Sequence, residues 1–259
     1  MTTERLLDDR PLVPVRILAN KVPEVTVYFW IIKVLTTGMG ETASDLLARV
    51  FGPVPAVALG GLALAVSLAV QFAVRRYVAW VYWNAVVMVS VFGTMAADVL
   101  HIGLDVPYAV STPVFLVVLA AVFALWYAVE RTLSVHGIRT RRREIFYWAA
   151  VLATFALGTA AGDLTATAGF GYAGSVLIFA AAICVPAVAH RVAAMNAVAA
   201  FWTAYVITRP LGASLADWTA AGQARGGLGL GLGPVTLAWT VAIACCVGYL
   251  AVSRRDVQR

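Results

Sequence analysis

Four aspartates occupy the same position in an internal sequence repeat. Each lies fifteen residues after a tryptophan and five residues after a glycine. Four such matches exceed what chance would give, so we interpret them as one repeated unit. Aspartates in register suit the binding or conduction of cations, because carboxylates are favoured ligands of hard metal ions. The four sets are Trp30/Gly40/Asp45, Trp83/Gly93/Asp98, Trp148/Gly158/Asp163 and Trp202/Gly212/Asp217.

Further polar residues precede each aspartate at helical spacing. At about 100° per residue, positions seven, eleven and fifteen after the tryptophan fall on one face of a helix. This face is wholly polar in the first two repeats and less so in the last two, and Lys33 lies just before the first face. Such a face should turn toward other helices or water, because ionisable groups are costly in lipid. The four faces are Thr37/Glu41/Asp45, Ser90/Thr94/Asp98, Phe155/Thr159/Asp163 and Arg209/Ala213/Asp217.

The carboxylates and hydroxyls of these faces predict a site for Mg²⁺, Ca²⁺ or Mn²⁺, which bind oxygen donors. His101, three residues after Asp98, would add a nitrogen donor suited to Mn²⁺ or Zn²⁺. Lys33 and Arg209 would neutralise the carboxylates when no substrate is bound. The candidate metal ligands are Asp45, Asp98, Asp163, Asp217, Glu41 and His101.

The sequence leaves open how deep the aspartates lie. A straight helix from Arg76 to Asp98 would rise about 33 Å and bring the carboxylate to the outer interface, as an ordinary surface group. Tilt, or unwinding at the preceding glycine, would leave it deeper, beside a cavity. We interpret the glycines as sites of close helix packing rather than hinges. We interpret the repeat tryptophans as anchors at the membrane interface.

Composition places these faces in membrane helices. Of the 259 residues, 62% are hydrophobic and 12% are charged, and the mean hydropathy is +0.87. Soluble chains are about 45–50% apolar and about 25% charged, so this composition excludes a soluble enzyme. With about 20 residues per crossing, we predict an all-α polytopic membrane protein with eight transmembrane helices. The predicted spans are 25–47, 54–74, 77–100, 106–129, 145–166, 170–189, 193–218 and 232–252.

The eight spans group into four tandem two-helix repeats in two duplicated halves. The halves align as units, since 118 residues separate Asp45 from Asp163 and 119 separate Asp98 from Asp217. All four aspartate helices then run in the same direction, which allows a pseudo-fourfold arrangement about the membrane normal. The predicted units are the single membrane domain 1–259, the first half 25–131 and the second half 145–252.

Positive charge marks one side of the predicted bundle. The opposite connections hold only Arg49 and Arg225 among the basic residues. The positive-inside rule therefore predicts cytoplasmic N- and C-termini in the cytoplasmic (inner) membrane of a bacterium. We interpret the basic residues as a topology signal, which predicts no nucleic-acid partner. The basic connections are the N-terminal segment, Arg75–Arg76, Arg131–Arg143, His190–Arg191 and the tail with Arg254, Arg255 and Arg259.

Two segments of the chain carry a resemblance to a known repeat. They are NKVPEVTVYFWIIKVLTTGMGETASDLL at 20–47 and FWTAYVITRPLGASLADW at 201–218. At these residues the sequence resembles the bacterial membrane-protein family known by a repeat of unknown function, domain of unknown function 347. The resemblance covers nearly the whole chain. It implies an integral membrane protein built from this repeat, and it implies no activity.

The functional hypothesis therefore depends on the residues themselves. We expect a transporter or exporter of a small cation, with a divalent metal such as Mn²⁺ or Mg²⁺ as the preferred substrate; a passive pore is a variant. The alternatives are a proton-coupled carrier of a small organic solute and a non-transporting membrane scaffold. No paired nucleophile and base and no usable phosphate loop occur, so we expect no enzyme and no cofactor beyond a metal carried as substrate. The expected partners are the lipid bilayer, the cation and, in a homo-oligomer, further copies of the chain. The predicted pathway residues are Asp45, Asp98, Asp163, Asp217, Glu41, Thr37, Ser90, Thr94, Thr159, Lys33 and Arg209.

Overall fold

The structure, a computed structural model, describes residues 20–257. Within this range the chain forms long α-helices joined by short connections, and no strand occurs in it. The helices are α1 (Val27–Phe51), α2 (Pro53–Ala73), α3 (Ala79–Asp98), α4 (Tyr108–Glu130), α5 (Arg141–Thr165), α6 (Gly171–Val192), α7 (Ala197–Ala220) and α8 (Leu232–Ser253).

Helices α5 and α6 follow each other across a kink, without an extended connection. The π-helical turn Ala166–Phe170 lies between them, and within it Gly169 leaves the helical conformation with a φ of 102°, which favours glycine. If each uninterrupted segment is counted once, residues 20–257 contain seven helices longer than one turn, and not the eight predicted. The predicted spans 145–166 and 170–189 merge into one segment here, because α5 and α6 are separated by a kink at Gly169 and not by a longer connection.

Five helical segments within 20–257 are long and apolar enough to cross a membrane. Helices α1 and α7 are outside this set, because polar residues such as Lys33, Glu41 and Arg209 lower their hydropathy. The apolar helices indicate a multi-pass membrane protein, and eight crossings would require α1 and α7 to lie among the other helices. The five segments are Pro53–Ala73, Ala79–His101, Tyr108–Glu130, Arg141–Val192 and Leu232–Ser253.

Four helices form the centre of the bundle, and we call them the inner helices. Helix α1 packs against α3, α3 against α5, α5 against α7 and α7 against α1, which closes a ring. Each outer helix packs on the inner helix of the following repeat: α2 on α3, α4 on α5, α6 on α7 and α8 on α1. Most buried residues belong to the inner helices, so they occupy the interior that the apolar outer helices surround.

One glycine of each repeat lies against the next inner helix. A Cβ atom added at Gly212 would lie 1.8 Å from Thr37 Oγ1, and one added at Gly158 would lie 2.1 Å from Arg209 Cγ. Both distances are far below van der Waals contact, so only glycine fits at these positions. The geometry supports close packing and not a hinge. The four contacts, each to position seven of the next repeat, are Gly40 on Ser90, Gly93 on Phe155, Gly158 on Arg209 and Gly212 on Thr37.

The inner helices begin at a common end of the bundle, which we call the basic end. There Lys21 Nζ lies 2.7 Å from Glu144 Oε2 of α5, and both side chains are buried. The indole Nε1 of Trp202 donates to the Leu133 carbonyl at 2.9 Å, which fixes α7 to the connection before α5. The predicted basic residues of the N-terminal segment before residue 20, and Arg259, lie outside the described residues.

Candidate functional site

A buried ion pair lies where the four inner helices meet. Arg209 of α7 is 0% exposed and Glu41 of α1 is 4% exposed. Arg209 Nη2 donates to Glu41 Oε2 at 2.8 Å, and Nη1 donates to the Thr37 carbonyl at 2.9 Å. The hydroxyl oxygens of Thr159 on α5, at 2.6 Å, and of Thr94 on α3 also lie within hydrogen-bond distance of Nη2, so its two N–H groups are shared among three acceptors. We call these five residues, Thr37, Glu41, Thr94, Thr159 and Arg209, the polar centre.

Two threonines of the polar centre also stabilise the Glu41 carboxylate. The hydroxyls of Thr94 and Thr159 donate to Glu41 Oε2 at 3.3 and 3.4 Å. One carboxylate oxygen is therefore surrounded by donors from α3, α5 and α7. Removing one partner of a buried, hydrogen-bonded ion pair costs about 3–5 kcal/mol, because the other charge is left uncompensated. The sequence predicted that these side chains share an interior face, and the structure brings all five together.

Lys33 lies beside the polar centre without joining its hydrogen bonds. The side chain is 0% exposed, and Nζ lies 4.2 Å from the ring centroid of Phe155 and 4.4 Å from that of Tyr205. Nζ has no hydrogen-bond partner among the described residues. The prediction that Lys33 neutralises a carboxylate finds no support in this geometry, since Arg209 alone pairs with Glu41 here. Contact with aromatic rings replaces an ion pair at Lys33.

Ser90, at position seven of the second repeat, is a packing contact in this structure. Its side chain lies against Gly40, and its hydroxyl is buried without a hydrogen-bond partner among the described residues. It is therefore placed at the level of Thr37 and Arg209 but makes none of their hydrogen bonds.

The four repeat aspartates lie at the end of the inner helices away from the basic end, and all are partly buried. Asp45 and Asp217 line a cavity of 310 Å³ with Arg49 and Arg225. Asp163 lines a second cavity of 250 Å³, which shares Arg225 with the first. The aspartates thus line recesses at this end and lie within electrostatic range of Glu41, which argues against their being isolated surface groups.

Asp98 belongs to the same acidic layer but lines neither of these two cavities. It interacts electrostatically with Glu41, Asp45 and Asp163. Asp98 is the last residue of α3, and the chain continues from it as a π-helix, Val99–Gly103. The carboxylates therefore surround one end of the axis without meeting at a single point.

A preformed metal site is absent from residues 20–257, where no group of three or more His, Cys, Asp or Glu side chains could hold an ion. His101 Nδ1 lies 2.8 Å from the Val106 carbonyl, and its ring stacks on Tyr108 with centroids 3.4 Å apart. The histidine thus stabilises the turn before α4. The predicted ligand set of His101 with Glu41 and the aspartates is not assembled among the described residues.

Three of the four repeat tryptophans, Trp83, Trp148 and Trp202, are interior residues. Trp83 and Trp148 are 1% and 3% exposed, and the ring of Trp202 lies 5.8 Å from that of Trp126, centroid to centroid. The prediction of membrane-interface anchors was therefore wrong for these three. They were misread because an aromatic residue near a helix end has the same sequence signal in an interface belt and in a bundle core.

Sequence reasoning missed a set of buried tyrosines on the inner helices. Tyr82 and Tyr147 directly precede the tryptophans of the second and third repeats, and Tyr205 lies three residues after that of the fourth. All three are buried on the basic-end side of the polar centre. The helical face that holds position seven continues toward the start of each helix in steps of four residues. One step back from position seven reaches Tyr205, and two steps reach Tyr82 and Tyr147.

Comparison with known proteins gives one family. No curated protein and no solved structure matches the chain. The family model described as Repeat of Unknown Function (DUF347) matches four times in tandem, at residues 28–77, 81–132, 146–195 and 200–256. Each match contains one inner helix and the outer helix that follows it. The chain therefore belongs to the family defined by the DUF347 repeat and carries four copies of that repeat.

Proposed function

We propose that this protein transports a small cation across a membrane. The observation that carries the proposal is the polar centre, one buried ion pair held by side chains from all four inner helices and followed along the axis by a layer of four aspartates. We also propose that all eight helices cross the cytoplasmic membrane of a bacterium with the basic end in the cytoplasm, in accord with the positive-inside rule.

Packing alone gives no reason for the polar centre. Desolvation of a buried ion pair can exceed its Coulombic gain, and well-packed apolar residues of similar volume are often equally stabilising or better. Ionisable groups within membrane helices commonly mark substrate or ion pathways for this reason. The position of the pair, at the one level where all four repeats converge, favours a role in binding or moving charge.

The acidic layer favours a cation as the substrate. Four aspartates lie around this end of the axis, and two guanidinium groups, those of Arg49 and Arg225, line the larger cavity there. Carboxylate oxygens attract cations and raise their local concentration at the mouth of a pathway. The arginines reduce this attraction but do not reverse it.

Arg209 occupies the position that an incoming cation would take. Its guanidinium is 2.8 Å from Glu41 Oε2, the distance of a charge-assisted hydrogen bond. A cation that arrives from the acidic layer would compete with Arg209 for this carboxylate. Because the Arg209 stem lies directly against Gly158, displacement of the guanidinium would be coupled to the packing of α7 on α5.

We propose a small cation as the substrate without choosing between divalent metals and other cations. A divalent metal would need three or more suitable ligands close together, and residues 20–257 do not assemble such a set in this conformation. Mn²⁺ and Mg²⁺ therefore enter the test beside monovalent and organic cations.

A second candidate is a proton-coupled carrier of a small organic solute. The observation that favours it is a cavity of 450 Å³ between α4 and α7, lined by aromatic side chains together with Arg131 and Asn196. This cavity is larger than those beside the aspartates, and its aromatic lining resembles a pocket for an organic molecule more than an ion site.

The test is uptake into proteoliposomes that contain the purified protein. Mn²⁺, Mg²⁺, Ca²⁺, Na⁺ and methylammonium are supplied in turn, and accumulation is compared with that in protein-free liposomes. We expect at least one of them to accumulate. Glu41→Gln should reduce its initial rate about tenfold or more, the effect of losing about 1.4 kcal/mol of interaction.

Asp105→Asn is the matched control for this charge removal. Asp105 is exposed and lies in the connection before α4, with a φ of 52° that asparagine also adopts. It should transport at the unmodified rate. Failure of the unmodified protein to accumulate any of the five cations would overturn the proposal, and uptake of a neutral organic solute in its place would establish the second candidate.

A further inference from the structure

Buried tyrosines continue the inner axis from the polar centre toward the basic end. Tyr82 of α3 and Tyr147 of α5 are buried, and their hydroxyl oxygens lie 2.5 Å apart. Tyr205 of α7 is buried nearer the polar centre and interacts electrostatically with Tyr147. Hydroxyl groups from three different inner helices therefore follow one another along the axis.

Lys33 lies where these hydroxyls reach the polar centre. Its Nζ atom lies over the Tyr205 ring, and neither Nζ nor the Tyr205 hydroxyl has a hydrogen-bond partner among the described residues. The charged group that acts on it from α7 is Arg209. Because an unpaired buried ammonium is strongly disfavoured, Lys33 readily releases its proton. Because Lys33 has no carboxylate partner here, neither uptake nor release of a proton breaks an ion pair.

At the basic end, the row of buried tyrosines reaches a cavity. Tyr77 precedes α3, donates a hydrogen bond to Asp256 Oδ2, and has its ring centroid 5.7 Å from that of Tyr82. Tyr77 and Asp256 line a cavity of 260 Å³ together with Arg76 and Arg254. A proton from solvent in this cavity can thus reach the first tyrosine through the Asp256 carboxyl. We call Tyr77, Tyr82, Tyr147 and Tyr205 the tyrosine chain.

The tyrosine chain offers little to any ion larger than a proton. At the level of Tyr82 and Tyr147, the other two inner helices contribute Phe29 and Phe201, whose ring centroids lie 6.0 Å apart. A metal ion needs several oxygen ligands at once, and these rings supply none. A proton needs only neighbouring hydroxyls, since each can accept one hydrogen bond and donate another.

We propose that the tyrosine chain carries protons between the basic end and Lys33, and that Lys33 holds the proton that is exchanged for the transported cation. The inference rests on the proposed cation transport and names its coupling ion. It assigns a role to a fully buried lysine and to buried hydroxyls that the polar centre itself does not use.

The transfer conserves protons at every step. The Tyr205 hydroxyl gives its proton to the lone pair of Lys33 Nζ and takes one from Tyr147, and each earlier hydroxyl does the same. Asp256 supplies the last proton from solvent, and nothing is oxidised or reduced. The ammonium formed at Lys33 repels a cation bound at the neighbouring Glu41, so proton uptake by Lys33 and release of the cation accompany each other, as an exchange requires.

Two measurements in proteoliposomes separate this inference from the proposed function. The first follows a trapped pH indicator while Mn²⁺, Mg²⁺, Na⁺ or methylammonium is added outside, and reports protons moved per cation. The second follows exchange of labelled for unlabelled cation at equal pH on both sides, which requires no net proton transfer.

Tyr147→Phe and Lys33→Met each remove a proton carrier and keep the volume of the side chain. Both should slow cation-driven proton movement about 100-fold, the scale of losing a positioned acid or base, and should leave cation exchange at equal pH largely intact. Tyr249→Phe, on the exposed surface of α8, is the control and should behave as the unmodified protein. Tyr82→Phe replaces Tyr147→Phe if that variant does not fold.

Unaltered proton movement in both Lys33→Met and a folded tyrosine variant would overturn the inference and leave cation transport standing. Cation uptake by the unmodified protein without any proton movement would do the same. Absence of both uptake and exchange for every cation would overturn the proposed function, and this inference with it.

Discussion

Within residues 20–257, one buried ion pair lies at the basic end and another lies in the polar centre, and their surroundings differ. At the basic end, Lys21 Nζ lies 2.7 Å from Glu144 Oε2 and also donates to the carbonyls of Gln71 and Phe72. The Gln71 amide donates to the other Glu144 oxygen at 3.2 Å. Every charged atom of this pair therefore has a partner from a neighbouring helix or connection.

The pair in the polar centre has a similar separation but less complete hydrogen bonding. Arg209 and Glu41 are 2.8 Å apart, yet Arg209 Nε has no hydrogen-bond partner among the described residues, and neither has Lys33 Nζ beside it. A fully satisfied polar network rigidifies a core, whereas a partly satisfied one has alternative arrangements of similar energy. The comparison suggests that the Lys21 pair is a fixed joint and that the Arg209 pair can exchange partners.

The largest effect should follow from Arg209→Met. It leaves Glu41 buried without its guanidinium, so the free energy of unfolding should fall by about 3–5 kcal/mol, and cation uptake should stop. Denaturant unfolding in detergent micelles and uptake into proteoliposomes measure the two effects. A loss below about 1 kcal/mol would place this pair among weak surface interactions and would remove the contrast with the basic end.

Lys21→Met should separate the two regions most sharply. It leaves Glu144 unpaired, and the loss of unfolding free energy should again be about 3–5 kcal/mol. Uptake per folded molecule should stay unchanged, because this pair lies away from the proposed pathway. A strong fall in uptake at an unchanged folded fraction would show that the basic-end pair also belongs to the transport machinery.

Gly212→Ala tests the packing that holds the polar centre together. The added methyl would lie 1.8 Å from Thr37 Oγ1, so α7 and α1 must separate, at a cost of about 1–3 kcal/mol. Gly233→Ala is the control, since this helical glycine has open space around its Cβ position. Thermal unfolding of the two variants measures the difference, and equal melting temperatures would contradict the close-approach account.

The smallest effect is expected from Asp256→Asn at the basic end. Burial raises the pKa of Asp256, so the folded protein binds this proton more tightly than the unfolded chain does. The stability that comes from this group is present at acid pH and is lost as the pH rises and the carboxyl ionises. As the pH rises above about 4, the ordinary pKa of an aspartate, the melting temperature of the unmodified protein should therefore decline more than that of the variant. Parallel pH profiles would contradict this assignment.

Helical phase predicted the shared interior face, and the structure contains it. Glu41, Thr94 and Thr159 occupy position eleven of three repeats, and Thr37 and Arg209 occupy position seven of the first and fourth. They meet because the inner helices are parallel and close into a ring. Phase gives the direction of a side chain but not the neighbour it meets. Arg209 stands at position seven of its repeat, whereas Lys33 stands at position three, one helical turn nearer the basic end, and Arg209 is the one that pairs with Glu41.

The parts that could not be predicted depend on which neighbours each side chain meets and on local backbone geometry, and the periodic pattern of the sequence carries neither. Four aspartates on one face suggested a common metal site, but a ring of four helices holds these carboxylates on different walls, and His101 packs on Tyr108 instead. The direct succession of α5 and α6 was missed because Gly169 permits a sharp kink where a longer connection was expected. Tyr82 and Tyr147 were missed because aromatic residues near helix ends are also typical of interfaces.

Uptake by the double variant Arg209→Met with Glu41→Leu tests the central claim most directly. Replacing both charges with apolar side chains of similar size should leave the free energy of unfolding within about 1 kcal/mol of the original value, or raise it, since no charge is left unpaired. We predict a folded protein that no longer moves cations in proteoliposomes. A folded double variant that takes up cations at the original rate would contradict the account, because the polar centre would then serve neither stability nor transport.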